Sequence, residues 1–195
     1  MRAAKNLAAL LSATVVMAGN LASVAHADER LTPMDKQFVT MVAQGNIAEI
    51  KTSQLALKKS SNRKVRMIAT MLIQQHGKSQ QDLKSVARLH LVSLPADTDP
   101  KHKAEYRALT RLSGVGFDKA YMRGQVRDHN ATVALFNKEL AGGNETHVLS
   151  FAAKYLPDIQ NHTGMIHNVA SNLGIPVAAP MKTAEMSKMA PMSAQ

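Results

Sequence analysis

Apolar residues recur along this chain at steps of three and four, in four long runs bounded by turn and cap residues. That is the period of an amphipathic helix and not the alternation of a strand. In the first run Phe38, Met41, Val42, Gly45, Ala48, Leu55 and Ala56 share one face. Thr32 suits the N-cap, Pro33 the first helical position, and Asp35 complements the positive helix N-terminus, so a helix is predicted from Pro33 to about Lys59. Gly45 lowers its propensity and is expected to allow close approach of a neighbour. Ser60-Ser61-Asn62 predicts a short turn, with Asn62 capping a second helix built on Val65, Ile68, Ala69, Leu72, Leu83 and Val86. A turn this short makes the two helices antiparallel neighbours.

Residues 93–103 read as a loop, followed by a short helix from about Ala104 to Leu112. A third long helix is predicted from near Phe117, through Tyr121, Met122, Val126, Val133 and Phe136, to the Gly142-Gly143 stop. Asn144 is the expected cap of the fourth, which carries Val148, Phe151, Tyr155, Ile159, Ile166 and Val169. Pro157 sits inside it, crowds the Ala153 carbonyl and leaves it without a helical donor, which predicts a kink. Gly174-Ile175-Pro176 ends the helix. The expectation is an all-α four-helix bundle over residues 28–174. About 25 residues separate the second and third long helices. Extended, they reach ~80 Å, against ~40 Å for a 27-residue helix, so both an ordinary loop and a full-length crossover remain open.

The two ends differ from the middle. Arg2 and Lys5 precede a short apolar stretch, Leu7 to Val16, and Ala25-His26-Ala27 is a small-x-small cleavage site, so residues 1–27 read as a secretory signal peptide. The apolar run is short of the ~20 residues a membrane span needs. Export to the periplasm or beyond is therefore expected. Residues 175–195, rich in Ala, Pro and Met, read as a disordered tail. Its Met181, Met186, Met189 and Met192 are thioethers, soft donors that suit copper(I).

Composition sharpens this picture at three points. Aromatic residues make up 4% of the chain and tryptophan is absent, which favours helices over a β-sandwich. Cysteine is absent, which excludes disulfides, thiolate metal sites and a lipid-bearing cysteine. The formal charge is +10; beyond the cleavage site all 14 acidic residues remain and the charge is +8. For an exported protein that charge points to anionic envelope polymers and not to nucleic acid. Lys58, Lys59, Arg63 and Lys64 concentrate part of it at the first inter-helix turn.

Each long helix carries one polar residue on its otherwise apolar face: Glu49, His76, His129 and His162. Counted along their helices, their heights agree within ~7 Å. Imidazoles and a carboxylate buried without partners are costly, so they need one another, water or a metal. Neutral imidazole and carboxylate are suitable donors for Fe, Zn, Ni or Cu. Asp128 and Asp158 are placed to accept from ligand imidazoles, as outer partners of such a site do. The alternative is a purely structural network of hydrogen-bonded core groups. His90, His102, His147 and His167 read as surface or helix-end residues. No phosphate loop, nucleophile elbow or zinc-protease helix is present, so the sequence names no reaction and leans away from an enzyme.

The strings "GNIAEIKTSQLALKKSSNRKVRMIATMLIQQH", "LSGVGFDKAYMRGQVRDH" and "FAAKYLPDIQNH" resemble the exported bacterial family called domain of unknown function 4142, whose members are often labelled predicted outer membrane proteins. The resemblance runs from about Met34 to Leu173. It implies a ferritin-like four-helix bundle and so favours the long crossover; it implies no substrate. Gln75 departs from the Asp that such families usually carry before the second-helix histidine. No Glu-x-x-His pair occurs, which argues against ferritin-like di-iron chemistry. Two functions follow as expectations: an exported metal-binding bundle serving envelope metal or oxidative stress, or a non-catalytic module contacting anionic envelope polymers through its basic tip.

Overall fold

The computed structural model describes residues 31–177, in which five helices and no strands occur. They are α1 (Pro33–Lys59), α2 (Arg63–Leu89), α3 (Pro100–Thr110), α4 (Gly114–Gly142) and α5 (Thr146–Asn172). The first two begin as their caps predict. Thr32 and Asp35 form a reciprocal capping box with Pro33 at N1, and the Asn62 side chain accepts from the Lys64 and Val65 amides. Asp99 and Pro100 start α3 four residues earlier than the periodicity suggested, and α4 starts at Gly114 instead of Phe117. The cap of α5 is Glu145 and not Asn144: its carboxylate accepts from the Val148 amide at 2.8 Å.

Two ends of the bundle fix its connectivity. The Asn144 amide donates to Asp35 Oδ1 at 3.0 Å, which sets the α4–α5 turn beside the start of α1. Lys59 Nζ donates to the carbonyls of Thr110 and Leu112, which sets the start of α4 beside the end of α1. Helix α4 is thus antiparallel to α1, and the order of directions is up, down, down, up. Residues 90–113 climb the full length of the bundle, with α3 lying along them. One long crossover between two antiparallel hairpins is the connectivity that ferritin-like folds use.

Helix α5 runs unbroken through Pro157, because the proline and Ala153 both lie on the exposed face, where the freed carbonyl meets solvent. At its end Gly174, with φ of 69°, reverses the chain, and the Ile175 amide bonds back to the Ala170 carbonyl at 3.0 Å. This is a Schellman closure, and its apolar partner is Ile175, 5% exposed. The folded region therefore includes Ile175, one position inside the stretch expected to be tail. Residues 1–30, with the signal-peptide reading, and 178–195, with Met181, Met186, Met189 and Met192, lie outside the described residues.

The core comes in two apolar blocks. One, near the α1–α2 turn, joins Leu55, Val65, Ile68, Leu72, Phe117, Tyr121 and Ile166. The other, near the α4–α5 turn, joins Phe38, Val42, Leu83, Phe136, Phe151 and Ile159. Phe38 packs edge-on against Phe136 with ring centroids 4.9 Å apart. A polar layer separates the blocks.

Candidate metal centre

The polar layer is built by α1, α2, α4 and α5. Its centre is a triangle of imidazoles, with ring centroids 5.6 Å apart for His76–His129 and 5.7 Å for both His76–His162 and His129–His162. All three are buried. One ring nitrogen from each lies within 4.8 Å of the others.

Each ring is oriented by a different oxygen. His76 Nδ1 is 2.8 Å from Asn46 Oδ1. The Asn46 amide nitrogen donates to Ser79 Oγ and to Gln80 Oε1, both at 3.2 Å, so its oxygen faces His76 and accepts the Nδ1 proton. His129 Nδ1 donates to the Gln125 carbonyl at 3.1 Å, one turn back on α4. His162 Nε2 donates to Gln75 Oε1 at 2.5 Å. A neutral imidazole that donates through one nitrogen presents a lone pair on the other. Those other atoms, Nε2 of His76 and His129 and Nδ1 of His162, are buried without a hydrogen-bond partner. Burial, with the neighbouring imidazoles adding to it, holds His76 well below the usual histidine range and His129 down to about 3. Burial lowers His162 as well, opposed by the field of Asp158. The three rings are thus neutral near pH 7, the form that binds metals.

The remaining expected residues stand elsewhere. Glu49 is buried, but its Oε1 is 3.7 Å from His129 Nδ1, the nitrogen already committed to Gln125. It lies beside the three-nitrogen group and not in it. Burial pushes it up to about 8, opposed by a hydrogen bond from the Gln125 side chain. Asp128 points toward the crossover: Arg127 Nε donates to it at 3.0 Å, Lys101 Nζ at 3.2 Å, and His102 Nε2 stands 3.5 Å away. Its carboxylate is occupied there, so it does not accept from the three imidazoles. Asp158 is exposed on α5 at the rim of the cavity and reaches His162 through its field alone. At the basic tip Lys58, Arg63 and Lys64 are exposed, whereas Lys59 holds the end of α3.

Beside the triangle lies a cavity of about 170 Å³, walled by all four bundle helices and closed on one side by Lys101 and His102 of α3. His102 is not an ordinary surface residue: hydrogen bonds with Asp128 and Asp99 raise it to about 9. His90 and His147 likewise gather around Glu145 at the opposite end, at 3.3 and 2.8 Å. Asn46 escaped the sequence pattern although it stands three residues before Glu49 on the same face. Gln75 was visible only as a departure; in the fold it is the group that orients His162.

Fold and site together define an all-α bundle with a buried histidine triangle at its waist. The chain belongs to the family described as Domain of unknown function (DUF4142), which matches residues 20–169. Solved structures share its fold. A DUF305 fragment from Deinococcus radiodurans is 18% identical, with a TM-score of 0.65 over 73% of this chain and 99% of that one. A DUF305 protein from Streptomyces coelicolor, proposed to be secreted, is 12% identical, with a TM-score of 0.64 over 80% and 100%. A protein from Bacillus halodurans C-125, proposed to be a spore coat protein, is 13% identical, with a TM-score of 0.63 over 80% and 98%. No curated protein matches the sequence. Among the described residues no helix is long and apolar enough to cross a membrane.

Proposed function

We propose that this protein is an exported bundle that binds one divalent transition-metal ion, Zn, Cu, Ni or Fe, through His76 Nε2, His129 Nε2 and His162 Nδ1. The observation that carries the reading is the pairing of roles on every ring: one nitrogen donates to a fixed oxygen and the other is buried and bare. A network of core histidines closed by protein groups alone would leave three lone pairs unmet, each at a cost in free energy, and an ion would meet all three. Three imidazoles with an open fourth position are a known donor set for zinc, and imidazole also suits copper, nickel and iron. Asn46, Gln75 and the Gln125 carbonyl supply the outer hydrogen bonds that orient such ligands. The set does not fit a di-iron carboxylate centre, which needs Glu-x-x-His pairs. Export rests on the signal-peptide pattern in residues 1–27.

Elemental analysis and calorimetric titration of the purified chain with zinc and copper test the reading. One equivalent is expected in the wild type and none in His129→Ala. A wild type that takes up no ion from any of the four metals refutes it.

The second reading, a module that contacts anionic envelope polymers, is favoured by the exposed Lys58, Arg63 and Lys64 at one tip of the bundle. Binding to lipopolysaccharide or cell-wall fractions that falls with salt and with alanine at these three positions supports it; binding indifferent to both excludes that tip.

A further inference from the structure

Two of the three imidazoles, His76 and His162, line the cavity. Beside them stand the amides of Asn46 and Gln75, and its apolar wall is made by Met41, Val42, Leu135, Phe136 and Ile159. Its volume is about 170 Å³. An engineered apolar cavity of about 150 Å³ in another protein binds benzene, so a single ring or a branched aliphatic body fits here.

Gly45 is the second observation. It lies in the interior of α1, where glycine costs about 1 kcal/mol relative to alanine. The expected reason, close approach of a neighbouring helix, is absent: a Cβ added at Gly45 meets nothing within 4 Å. Gly45 lines the cavity, and its missing side chain keeps that space open.

Charge decides what the space accepts. Three neutral imidazoles bring no counter-charge to a divalent ion. Of the carboxylates in the lining, Glu49 faces the committed nitrogen of His129, Asp128 is engaged by Arg127, Lys101 and His102, and Asp158 stands exposed at the rim, where it reaches His162 through its field alone. A buried double positive charge without an anion is strongly disfavoured.

Resting on the metal reading above, we propose that the open coordination position takes the carboxylate of a small organic acid whose compact apolar body fills this cavity. The ligand class is a monocarboxylic acid of about the size of benzoate. The acid would supply the missing anion and cover the apolar walls in one step.

The test uses the full chain loaded with Co²⁺, whose visible absorption reports its coordination. Loading is measured first, by elemental analysis, and benzoate is then titrated in. Benzoate is expected to change the cobalt spectrum saturably, acetate to bind about tenfold or more weaker because it leaves the walls uncovered, and benzylamine to do nothing. Gly45→Leu, which fills the cavity without touching His76, His129 or His162, is expected to keep the cobalt spectrum and to melt no lower than wild type while weakening benzoate about tenfold or more. A cobalt-loaded protein whose spectrum ignores benzoate, or a Gly45→Leu protein that binds it as well as wild type, overturns the organic-acid proposal and leaves the metal reading standing. Failure to load cobalt and every one of zinc, copper, nickel and iron overturns both.

Discussion

Asp35 and Glu145 at the α4–α5 end and the three histidines at the waist are all buried, and the fold treats the two sets in opposite ways. At the α4–α5 end, Asp35 accepts from the Thr32 amide at 2.8 Å, the Thr32 hydroxyl at 2.6 Å and the Asn144 amide at 3.0 Å. Glu145 accepts from the Val148 amide and holds His147. These carboxylates close helix ends, and their oxygens are directed at backbone donors that would otherwise be orphaned. At the waist, each histidine makes one bond that fixes the ring and leaves its second nitrogen without a protein partner. Burial of polar groups does not by itself mark a site; the proposed metal centre rests on three adjacent imidazoles, each with one nitrogen fixed and the other without a protein partner.

The sharpest way to break this comparison is to remove one group from each place. His129→Leu is expected to abolish metal uptake, while the metal-free protein melts no lower than wild type, because an apolar residue replaces a buried polar one. Asp35→Ala is expected to cost about 2–4 kcal/mol by stripping backbone donors at two helix ends, with metal stoichiometry retained in the folded fraction. Thermal melts and elemental analysis of both variants check the pair; a His129→Leu protein with full metal, or an Asp35→Ala protein as stable as wild type, reverses the assignment.

His129 at the waist and Glu139 at the α4–α5 end answer to pH with opposite signs. Burial holds His129 down to about 3 in the fold, against 6.5 for a free histidine, so the unfolded chain takes up the proton first. Metal-free protein therefore loses stability as pH falls from 6.5 toward 3, by up to about 1.4 kcal/mol per pH unit for each such histidine. Burial and the adjacent Asp35 push Glu139 up to about 7 from 4.5, so here the folded chain keeps the proton longer. Its contribution is present below 4.5 and is lost as pH rises through about 7. Denaturant midpoints measured across this range should flatten on the acid side in His129→Leu and on the neutral side in Glu139→Gln. Burial alone would raise Asp35 too, but its hydrogen bonds bring it down to about 2, so its share is present above 3.8 and lost on acidification below that.

A smaller effect probes the groups behind the ligands. Gln75→Leu and Asn46→Leu are expected to weaken metal binding by about 10–100-fold while leaving one equivalent bound at saturation. Unchanged affinity in both, read by competitive titration, would reduce their role to packing. The smallest expected effect is at the cavity wall: Gly45→Ala should raise stability by up to about 1 kcal/mol, with metal affinity unaltered.

Much of the fold was legible because helix faces and caps are local. The recurrence of Phe38, Val42 and Leu55, the Thr32 and Asn62 caps and the glycine stops place the long helices to within a few residues. Three of the four polar positions on those faces, His76, His129 and His162, also converge as helix heights suggested. What failed was of another kind. Glu49 and Asp128 share the right faces or levels, yet a turn of a few tens of degrees decides which neighbour a carboxylate meets. Asp128 meets Arg127, Lys101 and His102 because the crossover helix lies over it, and no periodicity announces that. Gln75 and Asn46 are uncharged amides whose value as orienting acceptors exists only once α1, α2 and α5 are side by side.

The sequence by itself determined an all-α chain, its four amphipathic helices and the presence of imidazoles where leucines would pack better, because these follow from residue period and from the chemistry of single side chains. Tertiary structure alone decided the up-down-down-up path, the division of the core into two apolar blocks, and which nitrogen of His76 and of His162 is held and which is bare. Those depend on distances between segments 30 to more than 80 residues apart, such as Asn46 to His76 and Gln75 to His162, and only the packed helices set such distances.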